Sequence, residues 1–512
     1  MVSFILRRLV TILGVLIAAS YLFYILAANA GDPLDDLRQS SQRNREQLIE
    51  ARTAQLDLNV PAPIRYFYWA GGVAKCVVGK CDFGVDWKTG QPVTSMLPHA
   101  MGSTIKLVTV SLLLAILIGI SIGVISALRQ YSGFDYGVTL AAFFMYSLPS
   151  FWVAVLLKQW GAIGFNDFLE HPHFPALALA LIGCVMGVVG GSAAGGEWRR
   201  RFVVGGLVGL GSSILLFALD KSDWFLNPQL GPIAIAVLGA GIAFLVTFLA
   251  TGLSNKRALY STLTVAAIGT IAWFPMQQAF RFSAGAAVLG TGVGFVVLGA
   301  IVGRLFGGPD WRISVRLSAV TALFVYLLIF LDFAMGWWQR YNDTGAINGR
   351  AIATVGSVTP QLAGSGYWVG TVDTYTHMVL PVTALVLISL ASYTRYARAS
   401  LLEVMNLDYI RTARAKGLPE RAVIMRHAFR NALIPLATVI PLDLAGLFGG
   451  AVITETVFGW NGMGRLFIDA LHNVSVNVLM GYFLVTGLLL LIGNIVADIL
   501  YAVLDPRIRV DA

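Results

Sequence analysis

Long apolar runs separated by short polar joints occupy most of the chain. The runs are Leu9–Ala28, Ile105–Leu128, Val138–Trp160, six between residues 165 and 355, Met378–Tyr396, Ile434–Ile453 and Val478–Val503. Each reaches or approaches the ~20 apolar residues that cross a bilayer. The pattern predicts an all-α polytopic membrane protein. Three stretches break it. Residues 30–99 are polar with bases and acids in balance, 334–374 are polar and Gly-rich, and 400–435 are polar and strongly basic. A basic segment between spans belongs on the cytoplasmic side, so 400–435 faces inward and the balanced 30–99 faces outward. Arg7 and Arg8 before the first run place the N-terminus inside, on a retained first span rather than a cleaved leader.

The basic stretch reads as two short helices. Asp408 is a candidate cap for a helix over Tyr409–Lys416, with small Thr412, Ala413 and Ala415 on it. Gly417 supplies the terminating position that tolerates positive φ. Pro419 and Glu420 open the next helix, in which Arg421, Arg426 and Arg430 take polar positions and Val423, Ile424, Met425 and Phe429 apolar ones. Pro435 marks entry into the following span. A helix–Gly–helix of small residues lets a groove on another protein approach the backbone closely.

The wording YIRTARAKG…RHAFRNALIP resembles the EAA loop of permease subunits of binding-protein-dependent ABC importers, in their peptide (dipeptide/oligopeptide) branch. It carries Arg-Thr-Ala where the general pattern has Glu-Ala-Ala, and a longer gap to Ile434-Pro435. DFGVDWKTGQPV before span two, SLPSFWVAVLL in span three, TETVFGWNGMGRLFIDAL at 454–471 and the closing Leu504–Arg509 are similar to segments of the same family. The resemblance covers 1–164 and 356–512. It implies the type I ABC importer fold with six core spans, in a bacterial cytoplasmic (inner) membrane, with both termini cytoplasmic. It implies ATP-driven import of peptides with a second homologous permease, two ATP-binding subunits and an extracytoplasmic substrate-binding protein. Asp408, Arg411, Thr412, Ala413, Ala415, Gly417, Leu418 and Arg426 would then carry ATPase coupling. Nickel, glutathione and oligosaccharide importers belong to the same branch, and the chain does not choose among these substrates.

Residues 165–355 have no counterpart in that family. The six runs there are Phe174–Ala194, Phe202–Leu219, Pro232–Leu253, Ala258–Met276, Ala284–Val302 and Val315–Phe333. Arg199–Arg201, Lys256-Arg257 and Arg304…Arg316 fall at alternate joints, which the charge bias puts inside. An even number of spans leaves the remaining topology intact. The expected division is therefore 1–29 first span, 30–99 extracytoplasmic domain, 100–164 core spans two and three, 165–355 inserted bundle with an outer loop, and 356–512 core spans four to six with the coupling loop.

Net charge is +9 and only 12% of residues are charged. In a soluble chain that excess would suggest nucleic acid, but the basic joints of a membrane protein account for it. No Walker A, G-x-S-x-G, H-E-x-x-H or C-x-x-C occurs. No cofactor or catalytic residue is expected, and nucleotide hydrolysis falls to partner subunits. A secondary transporter is the rival class, favoured by about twelve apparent spans and opposed by the lack of an internal repeat. An intramembrane enzyme has no supporting residues. Cys76 and Cys81, five positions apart in the outer segment, make a local disulfide or two free thiols. They are too few for a metal site, and the nearest His is His99. The aromatic cluster Tyr66–Trp69 sits at the membrane interface or meets a docking partner. Ionisable residues inside spans point to function. Asp443 and Asp498 line the path or bond to neighbouring helices, and Ser147 and Pro149 mark a kink that lines the path or merely packs. Glu455 and Arg465 pair at the outer end or meet the binding protein.

Overall fold

The computed structural model describes residues 2–282, 285–308 and 311–504. Asp505–Arg509 of the closing motif, Ala284 at the start of the fifth insert run, and the Arg421 side chain lie outside the described residues. Among those residues, ten helices are long and apolar enough to cross a bilayer. A broken pair makes an eleventh, and Leu13–Ala28 is a shorter apolar helix.

The centre of the molecule is the 39-residue helix Tyr367–Met405. Its Met378, Val382, Leu385 and Tyr393 interlock with Leu107, Leu112 and Ala115 of Val93–Leu128. Both helices start eleven or twelve residues before the apolar runs inside them, at Tyr367 and Val93. Hydropathy registers only the part immersed in lipid, whereas the outer turns are covered by protein. Val93 and Leu97 pack on Met463, Leu479 and Tyr482. The first span lies against the last, with Phe23 stacked on Phe483 at 4.7 Å.

Val138–Trp160 is not one kinked span. Gly133–Ser147 and Ser150–Glu170 meet at 101°. Pro149 lacks an amide hydrogen and holds Leu148 extended, at φ −78 and ψ 132, so the hydrogen-bond ladder stops there. Ser147 satisfies a freed group only within its own helix, through its hydroxyl to the Phe143 carbonyl at 2.8 Å. On the second arm, Ala154 and Ala162 pack on Leu380, Ala384 and Phe458.

The six insert runs form six helices: Ala176–Ala194, Trp198–Lys221, Gly231–Ala250, Lys256–Arg281, Gly285–Phe306 and Trp311–Met335. The first two make a hairpin. Gly183, Gly187 and Gly191 lie directly against the backbone of Gly205 and Gly209, leaving no room for a Cβ. The other four share a core of Ile235, Val265, Phe280, Phe295, Val325 and Ile329, closed by Trp368 of the central helix. Asp332, buried in this bundle, accepts from Leu230 and Gly231 backbone amides at 2.7 and 3.1 Å, from Trp273 Nε1 at 2.6 Å and from Gln277 Nε2 at 3.0 Å. The donors satisfy the carboxylate, so it needs no cation.

In the outer segment, helix Ala62–Ala74 lays Tyr66 and Trp69 on the first span, while Phe67 and Tyr68 are exposed. Cys76 and Cys81 are disulfide-bonded. The segment is tied to the start of the last span through Trp87 Nε1 to the Asn473 carbonyl at 3.0 Å and Ser475 to Asp86 at 2.6 Å.

Candidate functional site: the basic loop and its two polar anchors

The central helix runs straight to the basic loop. The first loop helix is Asp408–Ala415, one residue earlier than the capping argument places it. Leu407 occupies the cap position without a side-chain bond, and Asp408 stands in the first turn, 3.5 Å from Arg411. A carboxylate there still favours the positive end of the helix dipole. Gly417 has φ +73 and open space around it, so its conformation rather than crowding selects glycine. Arg414 bridges the turn to Glu420 with two bonds of 2.7 and 3.1 Å, and these hold the Glu420 carboxyl below its usual range.

The loop has two faces. Ile410, Ala413, Val423 and Ala428 are buried against Ala127, Leu401 and Val404. Asp408, Arg411, Thr412, Ala415, Gly417, Leu418 and Arg426 are exposed. Ala413 therefore anchors the loop to its own protein instead of lying on its outer face. Met425, expected on the apolar face, is 47% exposed, as are Leu407 (45%), Tyr409 (40%) and Leu418 (40%). The exposed face thus mixes apolar and basic groups. Tyr409 is steadied by Asn431 at 2.7 Å, and Ser400 donates to the Ala432 carbonyl at 2.8 Å across the loop's base.

Just before the loop, Arg398 makes a bidentate pair with Asp135, at 2.7 and 2.9 Å. Asp135 is buried and also accepts from Ser126 at 2.5 Å and from the Tyr131 amide at 3.1 Å. Three helices are locked together at their inner ends. Residue spacing in Ser132-Gly-Phe-Asp135 holds the missed signal. Ser132 caps the Asp135 amide at 3.2 Å, and the Asp135 carboxylate reaches back to the Tyr131 amide, which fixes where it stands.

The second anchor is at the outer end. Glu455 is fully buried and accepts from the Thr104 hydroxyl at 2.6 Å and from the Gly464 and Arg465 backbone amides at 2.7 and 3.2 Å. Its carboxylate caps the N-terminus of helix Met463–His472. A Cβ at Gly462 would come within 2.4 Å of that carboxylate, so glycine there makes room for it. Of the two alternatives for Glu455 and Arg465, the side-chain pair does not form. The Arg465 guanidinium reaches the Gly459 carbonyl at 2.6 Å and Asn461 at 3.0 Å. Burial pushes the Glu455 carboxyl up, against the opposing hydrogen bonds from Thr104, Arg465 and Gly464. Arg465 lines an outward depression of about 800 Å³ with His99, Ser103, Asn461 and Asp469.

The intramembrane candidates do not converge. Asp443 is half-buried and accepts from the hydroxyl of Tyr393, on the central helix, at 2.8 Å. Asp498 is half-buried in the last span. Ser147 and Pro149 are exposed at the break in span three.

A continuous helix running into a basic loop, within a bundle of helices long and apolar enough to cross a bilayer, defines a multi-pass membrane protein. The family model for "Binding-protein-dependent transport system inner membrane component" matches residues 295–510, beginning inside Gly285–Phe306. The oligopeptide transport system permease protein OppB of Mycobacterium bovis is 32% identical over 259 residues, covering 49% of this chain and 75% of the relative. AppB of Bacillus subtilis, an oligopeptide permease, is 24% identical over 513 residues, covering 99% of this chain and all of the relative. The dipeptide permease DppB of Escherichia coli is 47% identical over 138 residues, covering 27% and 41%. The chain belongs to the family of inner membrane components of binding-protein-dependent transport systems, and is a multi-pass permease of an ABC importer.

Proposed function

We propose that this permease imports peptides, and that residues 400–435 couple it to two separate ATP-binding subunits, with a second homologous permease beside it and a substrate-binding protein outside. The substrate class rests on the peptide permeases it resembles. The single observation behind the coupling role is the two-faced loop. Buried Ile410, Ala413 and Val423 fix its position, while Leu407, Leu418 and Met425 stand exposed among basic residues. A monomer rarely leaves such a mixed surface uncovered. The exposed face suits the groove of an ATPase subunit on the cytoplasmic side, with both termini on that side too. ATP is hydrolysed by those subunits; this chain carries no nucleotide motif. Asp408, Arg411, Thr412, Ala415, Gly417, Leu418 and Arg426 make the contact, and Ala413 supports it from behind.

Substrate enters at the depression beside His99 and Arg465, which faces the binding protein. Asp443 and Asp498 are the pathway candidates nearest the packed pair of final spans, and Ser147 and Pro149 mark the flank. We keep the proposed division into a first span, outer domain, core spans and insert, with one revision. Asn166 and Ile352 exchange two hydrogen bonds of 2.9 Å, and the Gly356 amide donates to the Phe458 carbonyl at 2.8 Å. Those residues therefore go with the core, and the insert runs from about 171 to 350.

The test is Gly417→Val. A β-branched residue at φ +73 is a steric outlier, so the turn between the two loop helices must change. The variant should insert in the membrane normally yet lose copurifying ATPase subunits or ATP-driven peptide uptake. Gly417→Asn, which tolerates this φ, should retain assembly. Normal assembly and uptake by the Val variant would remove the coupling role.

A further inference from the structure

A cavity of about 180 Å³ lies in the outer segment, between the end of the first span, helix Ala62–Ala74 and the start of the last span. It is larger than a single water needs and smaller than the ~300 Å³ at which drug-sized pockets begin. Among its lining residues is Trp69, only 8% exposed, whose Nε1 donor is buried with no hydrogen-bond partner. Arg65 lines it too. Its Nε is likewise buried and unpartnered, and its guanidinium makes one bond, to the Leu56 carbonyl at 3.3 Å. No carboxylate pairs with Arg65 among the described residues. Arg65 and Trp69 both line this one cavity, and a buried N–H of each lacks an acceptor, which is costly unless an acceptor binds there.

The remaining lining specifies the acceptor. Asp57 and Asp82 stand at the exposed edge. An anion alone would meet those carboxylates, whereas a zwitterion puts its oxyanion on Arg65 and Trp69 and its ammonium beside the acids. The place in the fold then points to the source. Helix Ala62–Ala74 is held to the first span by Ser20 and Tyr66 at 2.8 Å. It leaves Phe67 and Tyr68 exposed at 65% and 63%, as aromatic rings at a membrane surface are. We infer that this cavity holds the phosphoethanolamine headgroup of an outer-leaflet phospholipid, with Arg65 and Trp69 gripping the phosphate.

The experiment is native mass spectrometry of the full-length detergent-solubilised chain, titrated with a phosphatidylethanolamine, a phosphatidylglycerol of equal chain length, or inorganic phosphate. Phosphatidylethanolamine should bind at one saturable site, more tightly than phosphatidylglycerol. Trp69→Phe, which keeps the ring and removes only the donor, should weaken it about tenfold, as should Arg65→Gln. Arg65→Lys should restore part of the affinity, which a simple loss of packing would not allow. Equal binding of both lipids, or binding unchanged in Trp69→Phe and Arg65→Gln, overturns the proposal. Displacement of the lipid by inorganic phosphate at comparable concentration overturns it as well, because the cavity would then be a site for a free anion.

Discussion

Glu455→Ala removes one carboxylate and strands the groups it served. The Gly464 amide, buried beneath it, loses its only named acceptor. The Arg465 amide, partly buried, loses a 3.2 Å bond. Thr104 still accepts from the Met463 amide at 2.8 Å but no longer has the carboxylate to donate to. A buried unsatisfied donor costs about 1–3 kcal/mol. Two stranded amides, one of them partly wetted, therefore destabilise the outer segment by about 3 kcal/mol. The cost falls on local opening of Met463–His472 rather than on membrane insertion. Hydrogen exchange read at the Gly464 and Arg465 amides should accelerate about a hundredfold, since 1.4 kcal/mol is tenfold. Glu455→Gln, which keeps an acceptor for the amides, should change exchange by less than tenfold. The wild type carries a pH signature that the Gln variant lacks. The folded carboxyl titrates above its ordinary value, so the protonated form is the better folded one. Stability contributed by this group is complete below the ordinary glutamate range and is lost as pH rises through the raised value. Protection of the segment should thus fall as pH rises past the ordinary glutamate range in wild type and stay flat in Glu455→Gln. Exchange in Glu455→Ala within threefold of wild type would refute the capping argument.

Asp135→Asn leaves Arg398 without its counter-charge, and because Arg398 is 28% exposed the cost should be about 1–3 kcal/mol rather than the 3–5 of a fully buried pair. Uptake per ATP hydrolysed, measured with Arg398→Gln in a double-mutant cycle, should show the two residues acting as one unit. Cys76 and Cys81 should resist a membrane-impermeant maleimide in intact cells until a reductant is added; immediate labelling of both would place them as free thiols. Deleting residues 171–350 and joining the ends with a short linker should leave an importer that assembles and transports, because Asn166 and Ile352 already sit side by side. Its melting temperature should fall, since Trp368 loses the Phe330 and Phe333 rings beside it and the Phe280 carbonyl that its Nε1 donates to; assembly without transport would make the insert part of the mechanism.

Spans were legible wherever lipid dictates composition. All six insert helices overlie apolar runs, and the alternating basic joints agree with which ends meet: Arg129 lies near Gly195 at one side, and Phe168 and Phe174 meet Phe225 at the other. Helix ends beyond the bilayer were not legible. The turns Val93–Ser103 and Tyr367–His377 are polar enough to read as loops, and only their protein neighbours make them helical. The Pro149 break exceeded a kink because a proline's consequence depends on what can pack on the second arm, and here Phe458 and Leu380 offer a surface. Of the loop, the motif revealed the turn but not its orientation, so Ala413 and Ala415 looked alike although one is buried. Glu455 was read as pairing with Arg465 or meeting the binding protein, whereas two backbone amides and a hydroxyl satisfy it. Backbone donors of that kind leave no trace in a list of side chains.

The positions of the two anchors bear on how a stroke at the loop would reach the outside. At 1.5 Å per residue, the helix Tyr367–Met405 is about 58 Å long and passes unbroken from the outer loop to the coupling loop. A lever of this length transmits displacement only if its neighbours move with it or slide past it. At its inner end the bidentate Arg398–Asp135 pair binds it to the turn between Val93–Leu128 and Gly133–Ser147, so those helices belong to the moving body. Two polar links join the lever to the helix Phe429–Gly450, Ser400 to the Ala432 carbonyl near the loop and, higher up, Tyr393 to Asp443. A single neutral-to-charged hydrogen bond is worth about 1.5–3 kcal/mol, small enough to be remade in each cycle. The outer end differs again, because Glu455 fastens Met463–His472 to Thr104, which lies on the helix the inner clamp already holds. The clamp, the lever and the capped outer segment therefore form one connected body, and Phe429–Gly450 is the surface against which it can shift. Asp443 stands on that surface, so on this proposal its bond to Tyr393 is remade as the body shifts.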